Sequence, residues 1–146
     1  MTIKFDSDLN EHYLYDTAYY QQGKISEAYI EEHHDRFNWC YLCRYQQLSE
    51  EFIQRNIENL DWESISANEK IDYKILEKHE VRVDWDLVVR YRMLTEEQIE
   101  EHGEEFDWRT ISMYQRLSES FIKKNAYRVD WCLISHYQDL SEDFLE

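Results

Sequence analysis

The chain has no proline and only two glycines in 146 residues. Nothing in it reads as an interdomain linker, because these residue types are the strongest local punctuation of a chain. Cysteine is scarce too: three residues, an odd number without the spacing of a disulfide framework, which fits free thiols in a reducing compartment. Basic residues are outnumbered, 16 Lys and Arg against 32 Asp and Glu, for a net charge of -16. Nucleic acid and anionic lipid reward Lys and Arg, so neither is the expected partner. A protein with a basic surface is. No apolar run approaches the roughly 18 residues of a membrane span, and the first residues lack the apolar stretch of a signal peptide. The expectation is a soluble, cytoplasmic protein.

Against these absences stands a strict period. The five tryptophans, Trp39, Trp62, Trp85, Trp108 and Trp131, lie 23 residues apart. A fixed period of roughly 20 to 50 residues marks an array or solenoid. The chain divides into a degenerate N-terminal cap (1–24), repeats at 25–47, 48–70, 71–93, 94–116 and 117–139, and a partial C-terminal repeat (140–146), all in a single repeat domain. Each unit of such an array touches only its neighbours, so its core is a continuous seam. With aromatic residues at 16% and a low mean hydropathy, the five tryptophans are the expected seam residues. Losing one is expected to cost about 3 to 5 kcal/mol.

Two helix starts recur in each repeat. At the first, Ser26, Ser49, Asp72, Thr95, Ser118 and Ser141 can cap orphan amides, with Thr95 and Gln98 spaced as a capping box. An apolar residue precedes each cap and another follows inside the helix, as in Leu48 with Ile53 and Leu94 with Ile99, the spacing of a hydrophobic staple. At the second start Asn38, Asp61, Asp84, Asp107 and Asp130 cap, with Leu60 stapled to Ile65 and Phe106 to Ile111. Each repeat is therefore a pair of short helices, predicted at about 50 to 58 and 62 to 69 in the second copy. Helices this short are marginal alone and need stacking to persist. The fold class is all-α, a solenoid of tandem two-helix repeats.

The consensus L-S-E-x-F-I followed by D-W-x-x-I-S-x-Y-Q, over residues 25–146, resembles the short tandem helical repeat proteins of phages, large DNA viruses and some bacteria. The resemblance implies the repeat fold and no shared catalytic residues. A viral source would imply an inhibitor in the host-cell cytoplasm, mimicking nucleic acid to occupy the basic surface of a host defence or nucleic-acid-handling protein.

Four groups of residues are candidate sites. The ladder His33, Asn56, His79, His102, Asn125 should point into the seam, and its alternation of His with Asn suits a structural hydrogen-bonding role. Cys40 and Cys43 have C-x-x-C spacing and, with His33 and His34, could form a redox or zinc site. Against this, Cys132 at the matching repeat position is followed by Ser135 where Cys43 stands in the first copy. The ladder Tyr45, Tyr91, Tyr114, Tyr137 is broken by Asn68 and reads as seam packing with the hydroxyls at the surface. Finally, Glu96, Glu97, Glu100, Glu101, Glu104, Glu105 and Asp107 form an acidic run with no Lys or Arg between 94 and 107. That face is the expected partner-binding surface. No catalytic motif is visible, so the expectation is a non-enzymatic, monomeric protein-interaction module without cofactor or bound metal. The alternatives are a self-associating assembly spacer and a small metal-binding or redox protein.

Overall fold

The structure is a computed structural model that describes residues 25–145; the expected N-terminal cap lies outside them. The described residues are all-helical: α1 (Glu27–Glu32), α2 (Trp39–Tyr45), α3 (Glu50–Arg55), α4 (Trp62–Ser66), α5 (Tyr73–Lys78), α6 (Trp85–Tyr91), α7 (Glu96–Glu101), α8 (Trp108–Tyr114), α9 (Glu119–Lys124), α10 (Trp131–Tyr137) and α11 (Glu142–Leu145). Two helices make one 23-residue repeat. The chain forms two compact units, Met1–Asp84 and Trp85–Glu146, whose boundary falls between the two helices of the third repeat. Inside each unit second helices pack side by side, α2 on α4 in one, α6 on α8 and α8 on α10 in the other.

The helices begin where the caps place them. Ser26, Ser49, Asp72, Thr95 and Ser118 each accept a backbone amide of the first turn, and the Thr95 and Gln98 capping box is closed. Asn38, Asp107 and Asp130 each accept two amides at the start of a second helix. Asp61 instead accepts the Ser64 hydroxyl at 2.5 Å. The helices end earlier than the periodicity suggests, at Arg55 and Ser66 in the second repeat. The first helix of each repeat ends at the His and Asn ladder, and α4 ends at its C-cap Ala67. His33, Asn56, His79, His102 and Asn125 are all C-caps, with φ between -123 and -105 and ψ between 14 and 32. Asn56 Nδ2 donates to the Phe52 carbonyl at 3.0 Å and Asn125 Nδ2 to that of Phe121 at 3.1 Å; His33 Nδ1 lies 3.1 Å from the Tyr29 carbonyl oxygen. Each of these side chains adds a second partner to a carbonyl that already accepts the cap residue's own amide, at a position the sequence placed on the helix's inner face.

The core itself is largely aliphatic, with Phe52 its largest wholly buried side chain. Ile30, Leu42, Ile53, Ile65 and Leu76 in one unit, and Val88, Ile99, Ile111, Ile122 and Ile134 in the other, are wholly buried. All ten are the inner members of the staples. The five tryptophans lie where each repeat meets the next, yet Trp39, Trp62, Trp85 and Trp108 are only half-buried and Trp131 is 49% exposed. The indole N–H explains their depth. It donates to the carbonyl five residues upstream, on His34, Ile57, Gly103 and Ala126 for Trp39, Trp62, Trp108 and Trp131, at 2.7 to 3.5 Å, which holds the ring at the rim.

Each ring then covers an aromatic group of the following repeat. Trp39, Trp108 and Trp131 lie on Phe52, Phe121 and Phe144, with centroids 6.2, 6.2 and 6.5 Å apart. Where that position is Ile75 or Gln98, the indole sits on His79 at 5.1 Å or His102 at 5.0 Å instead. The ladder's choice between Asn and His follows this exchange: Asn56 and Asn125 accompany Phe52 and Phe121, and His79 and His102 supply a ring where Phe is absent.

A second connection is polar and largely internal. Gln115 Oε1 accepts the Leu94 amide at 2.9 Å, while its Nε2 donates to the carbonyls of Val89 at 2.5 Å and Arg92 at 2.7 Å. Gln138 repeats the arrangement one repeat on, to the Leu117 amide at 3.1 Å and to the Gln115 carbonyl at 2.7 Å. Gln46 accepts the Ile25 amide at 2.9 Å. In the second repeat Asn68 takes over, donating to Cys43 and Gln46 carbonyls at 2.7 and 2.8 Å. At each of these places a carboxamide satisfies backbone groups that the turn between repeats would otherwise bury unpaired; in the third repeat Arg92 stands at the glutamine position.

Candidate binding surface

The acidic run 94–107 lies on α7, the turn after it and the cap of α8. Most of its carboxylates are already engaged. Glu96 Oε1 accepts the Ser118 amide at 2.7 Å. Glu100 pairs with Lys124, and Glu104 with Arg128 at 2.9 Å. Glu105 Oε2 lies 3.4 Å from His102 Nδ1. Asp107 caps α8: the Thr110 hydroxyl at 2.8 Å and the amides of Arg109 and Thr110 hold its carboxyl below the usual range despite a small opposing cost of burial. Glu97 and Glu101 are exposed.

This engagement is a repeating device. Glu27 accepts the Ser49 amide at 2.6 Å, and Glu119 the Ser141 amide at 2.6 Å, as Glu96 does that of Ser118. The hydrogen bond donated by the Ser141 backbone N–H is the main reason the Glu119 carboxyl is held below its usual range. Arg55 pairs with Glu31 at 2.8 Å and Arg82 with Glu58 at 3.0 Å, 24 residues apart like Glu100 with Lys124 and Glu104 with Arg128. Arg128 is the most elaborated: its Nη2 also donates to the Gly103 carbonyl at 2.6 Å, and the guanidinium lies 4.5 Å from the Trp108 ring centre. Spacing of acid to base by one repeat plus one residue was visible in the sequence, and reading charge within repeats rather than across them hid it.

Between α7 and α9 an open notch of about 270 Å³ is lined by Glu96, Glu97, Glu100, Ser120, Phe121 and Lys124. Its floor is apolar at Phe121 and its rim is acidic. Glu97 is the rim carboxylate that points away from these inter-repeat bonds and into solvent.

Neither chalcogen nor imidazole chemistry gathers in the first repeat. Burial pushes the Cys43 thiol up to about 12, the reverse of an activated nucleophile. Cys40 is exposed, with its Sγ 3.2 Å from Ser64 Oγ. His34 turns to Asp35 at 2.9 Å. Among the described residues, Cys40, Cys43, His33 and His34 are not brought within reach of a shared metal ion. The tyrosine ladder is half-exposed at Tyr91, Tyr114 and Tyr137, deeper than solvent-facing and shallower than the seam packing expected of it.

Comparison with known proteins adds no constraint on these sites. No family model, curated protein or solved structure matches the chain. Its reading rests on its own residues.

Proposed function

We propose that the protein is a non-enzymatic protein-interaction module that receives a basic partner at the notch between α7 and α9. The observation that carries this reading is the combination of Glu96, Glu97 and Glu100 around Phe121. A Lys or Arg side chain has a long apolar stem and a charged head; Phe121 would take the stem, and Glu97 would meet the head. The net charge of -16 would draw a basic protein in from a distance and speed encounter. In its sharper form the partner is a host protein whose basic groove otherwise holds nucleic acid, met in the cytoplasm and inhibited by occupancy. The row of carboxylates along the repeats supports that form, weakened where Lys124 and Arg128 neutralise Glu100 and Glu104.

Charge reversal at Glu100 and Glu104 is a poor test, because it also breaks bonds between repeats. Glu97→Lys breaks none. Glu51 occupies the same repeat position on α3 and is likewise exposed, so Glu51→Lys is a control of equal charge. In calorimetric titration with an oligo-arginine peptide, Glu97→Lys should weaken binding about tenfold and Glu51→Lys less than about threefold. Equal losses would reduce the effect to net charge and remove the notch as the site.

A further inference from the structure

One junction beyond the notch, in the same unit, a cation of the chain itself occupies the matching place. Phe144 on α11 stands 23 residues after Phe121, and Lys123 on α9 stands 23 residues after Glu100. Each phenylalanine has an indole against it, Trp108 at 6.2 Å from Phe121 and Trp131 at 6.5 Å from Phe144. Lys123 Nζ lies 4.9 Å from the Phe144 ring centre. A lysine thus lies over the aromatic pair where the notch has Glu100, which turns to Lys124 instead. The junction between the first two repeats offers no such floor: Phe52, at the same repeat position, is wholly buried, whereas Phe121 keeps an edge, 4% exposed, at the notch.

We infer that the basic side chain received at the notch is a lysine of the partner protein and not an arginine, which rests on the notch being the partner site. The rim acceptors favour the same choice as Lys123. Glu96 spends Oε1 on the Ser118 amide and Glu100 spends Oε1 on Lys124, so each has one oxygen left. Glu97 adds an exposed carboxylate, and Ser120 a hydroxyl on the facing helix. An ammonium carries three donors that turn freely on its stem, and it can meet single oxygens from separate side chains; a guanidinium donates as a planar fork and is best met by paired acceptors. The lysine stem is apolar as far as its tip, so its methylenes can lie on the Phe121 edge while the ammonium reaches the rim. The arginines of this unit take other rings: Arg128 lies 4.5 Å from the Trp108 centre and Arg90 5.7 Å from that of Tyr114. Acetylation of the partner lysine would release it, because the charge is removed.

Calorimetric titration of the full chain with oligo-lysine, oligo-ornithine and oligo-arginine peptides of one length compares the three side chains at equal charge. Oligo-lysine should bind about threefold tighter than either of the others. Ornithine has one methylene fewer to lay on Phe121, and arginine brings the wrong donor geometry; since paired carboxylates ordinarily reward arginine, general charge attraction predicts the opposite order. Ser120→Ala, at an exposed hydroxyl, should weaken oligo-lysine about threefold and leave oligo-arginine unchanged. Arginine bound as tightly as lysine or more tightly, lysine and ornithine bound alike, or a lysine preference undiminished in Glu97→Lys would each overturn the inference. Those results differ from failure of the notch itself, in which Glu97→Lys and Glu51→Lys weaken all three peptides equally and the inference falls with the site.

Discussion

Replacing Gln115 by alanine separates the internal clamp from the aromatic packing as the source of cohesion between repeats. The side chain is 1% exposed and bonds three backbone groups, the Leu94 amide and the carbonyls of Val89 and Arg92. Truncation opens a cavity too confined for bulk water and leaves the Leu94 N–H without this acceptor. A buried unsatisfied group costs about 1 to 3 kcal/mol; with two carbonyls each losing a donor, about 3 kcal/mol is expected. That is a large share of the roughly 5 to 15 kcal/mol that stabilises a domain. Gln138 makes the same bonds at a more open junction, and water can replace them there; Gln138→Ala should cost about 1 kcal/mol. Urea unfolding followed by circular dichroism measures both. Hydrogen exchange gives a local readout, since the Leu94 amide should exchange about a hundredfold faster in Gln115→Ala if the loss is about 3 kcal/mol. Equal destabilisation by the two variants, or an unchanged Leu94 amide, would refute the clamp as the decisive connection.

Three further outcomes follow from particular contacts. Thiol labelling of the native protein should modify Cys40 and Cys132, which are exposed, and spare Cys43, whose buried thiol is pushed up to about 12; peptide mass spectrometry reads the sites, and rapid labelling of Cys43 would contradict its burial. The folded-state value of Asp107 is depressed, so its contribution is full above its unfolded value and is lost as pH falls through the lower folded value. Asp107→Asn should therefore reduce stability at neutral pH and flatten the acid limb, and thermal melts with parallel pH profiles would count against it. Arg128→Lys should cost about 1 kcal/mol in urea unfolding, because lysine cannot bond Gly103 and Glu104 together while lying over Trp108; full retention of stability would show that charge alone suffices.

The period, the caps and the staples were legible in the sequence because each rests on local chemistry: an oxygen side chain before a helix, an apolar residue on either side of it. All of the wholly buried aliphatic residues but Val89 are staple members, so the pattern located the core even though the tryptophans looked like its substance. Burial depth was not legible, since it depends on where the indole N–H finds an acceptor, and that acceptor is a carbonyl of the turn. Helix length misled for a related reason. Asn56 continues the apolar periodicity of α3 on paper, while its side chain bonds the Phe52 carbonyl and ends the helix there. The glutamine clamp could have been found: Gln46, Gln115 and Gln138 share one repeat position, but a polar residue after an exposed tyrosine carries no sign of burial until its neighbours are placed.

The acidic run shows how a repeat alters the meaning of charge. In an isolated helix, Glu96, Glu100 and Glu104 would form a solvated stripe, and seven carboxylates in 94–107 would read as a surface prepared for something basic. In a stack, the nearest basic side chains belong to the next repeat. Lys124 and Arg128 reach back, and the Ser118 amide takes the remaining carboxylate. Exposed pairs of this kind contribute about 0 to 1 kcal/mol each, so their worth lies less in stability than in register: a repeat slipped by one residue would leave Glu104 facing Tyr127 or Val129 in place of Arg128. Charge spent on register is unavailable to a partner. On the function proposed above, a partner is met by positions that point away from the neighbouring repeat, Glu97 at the notch among them.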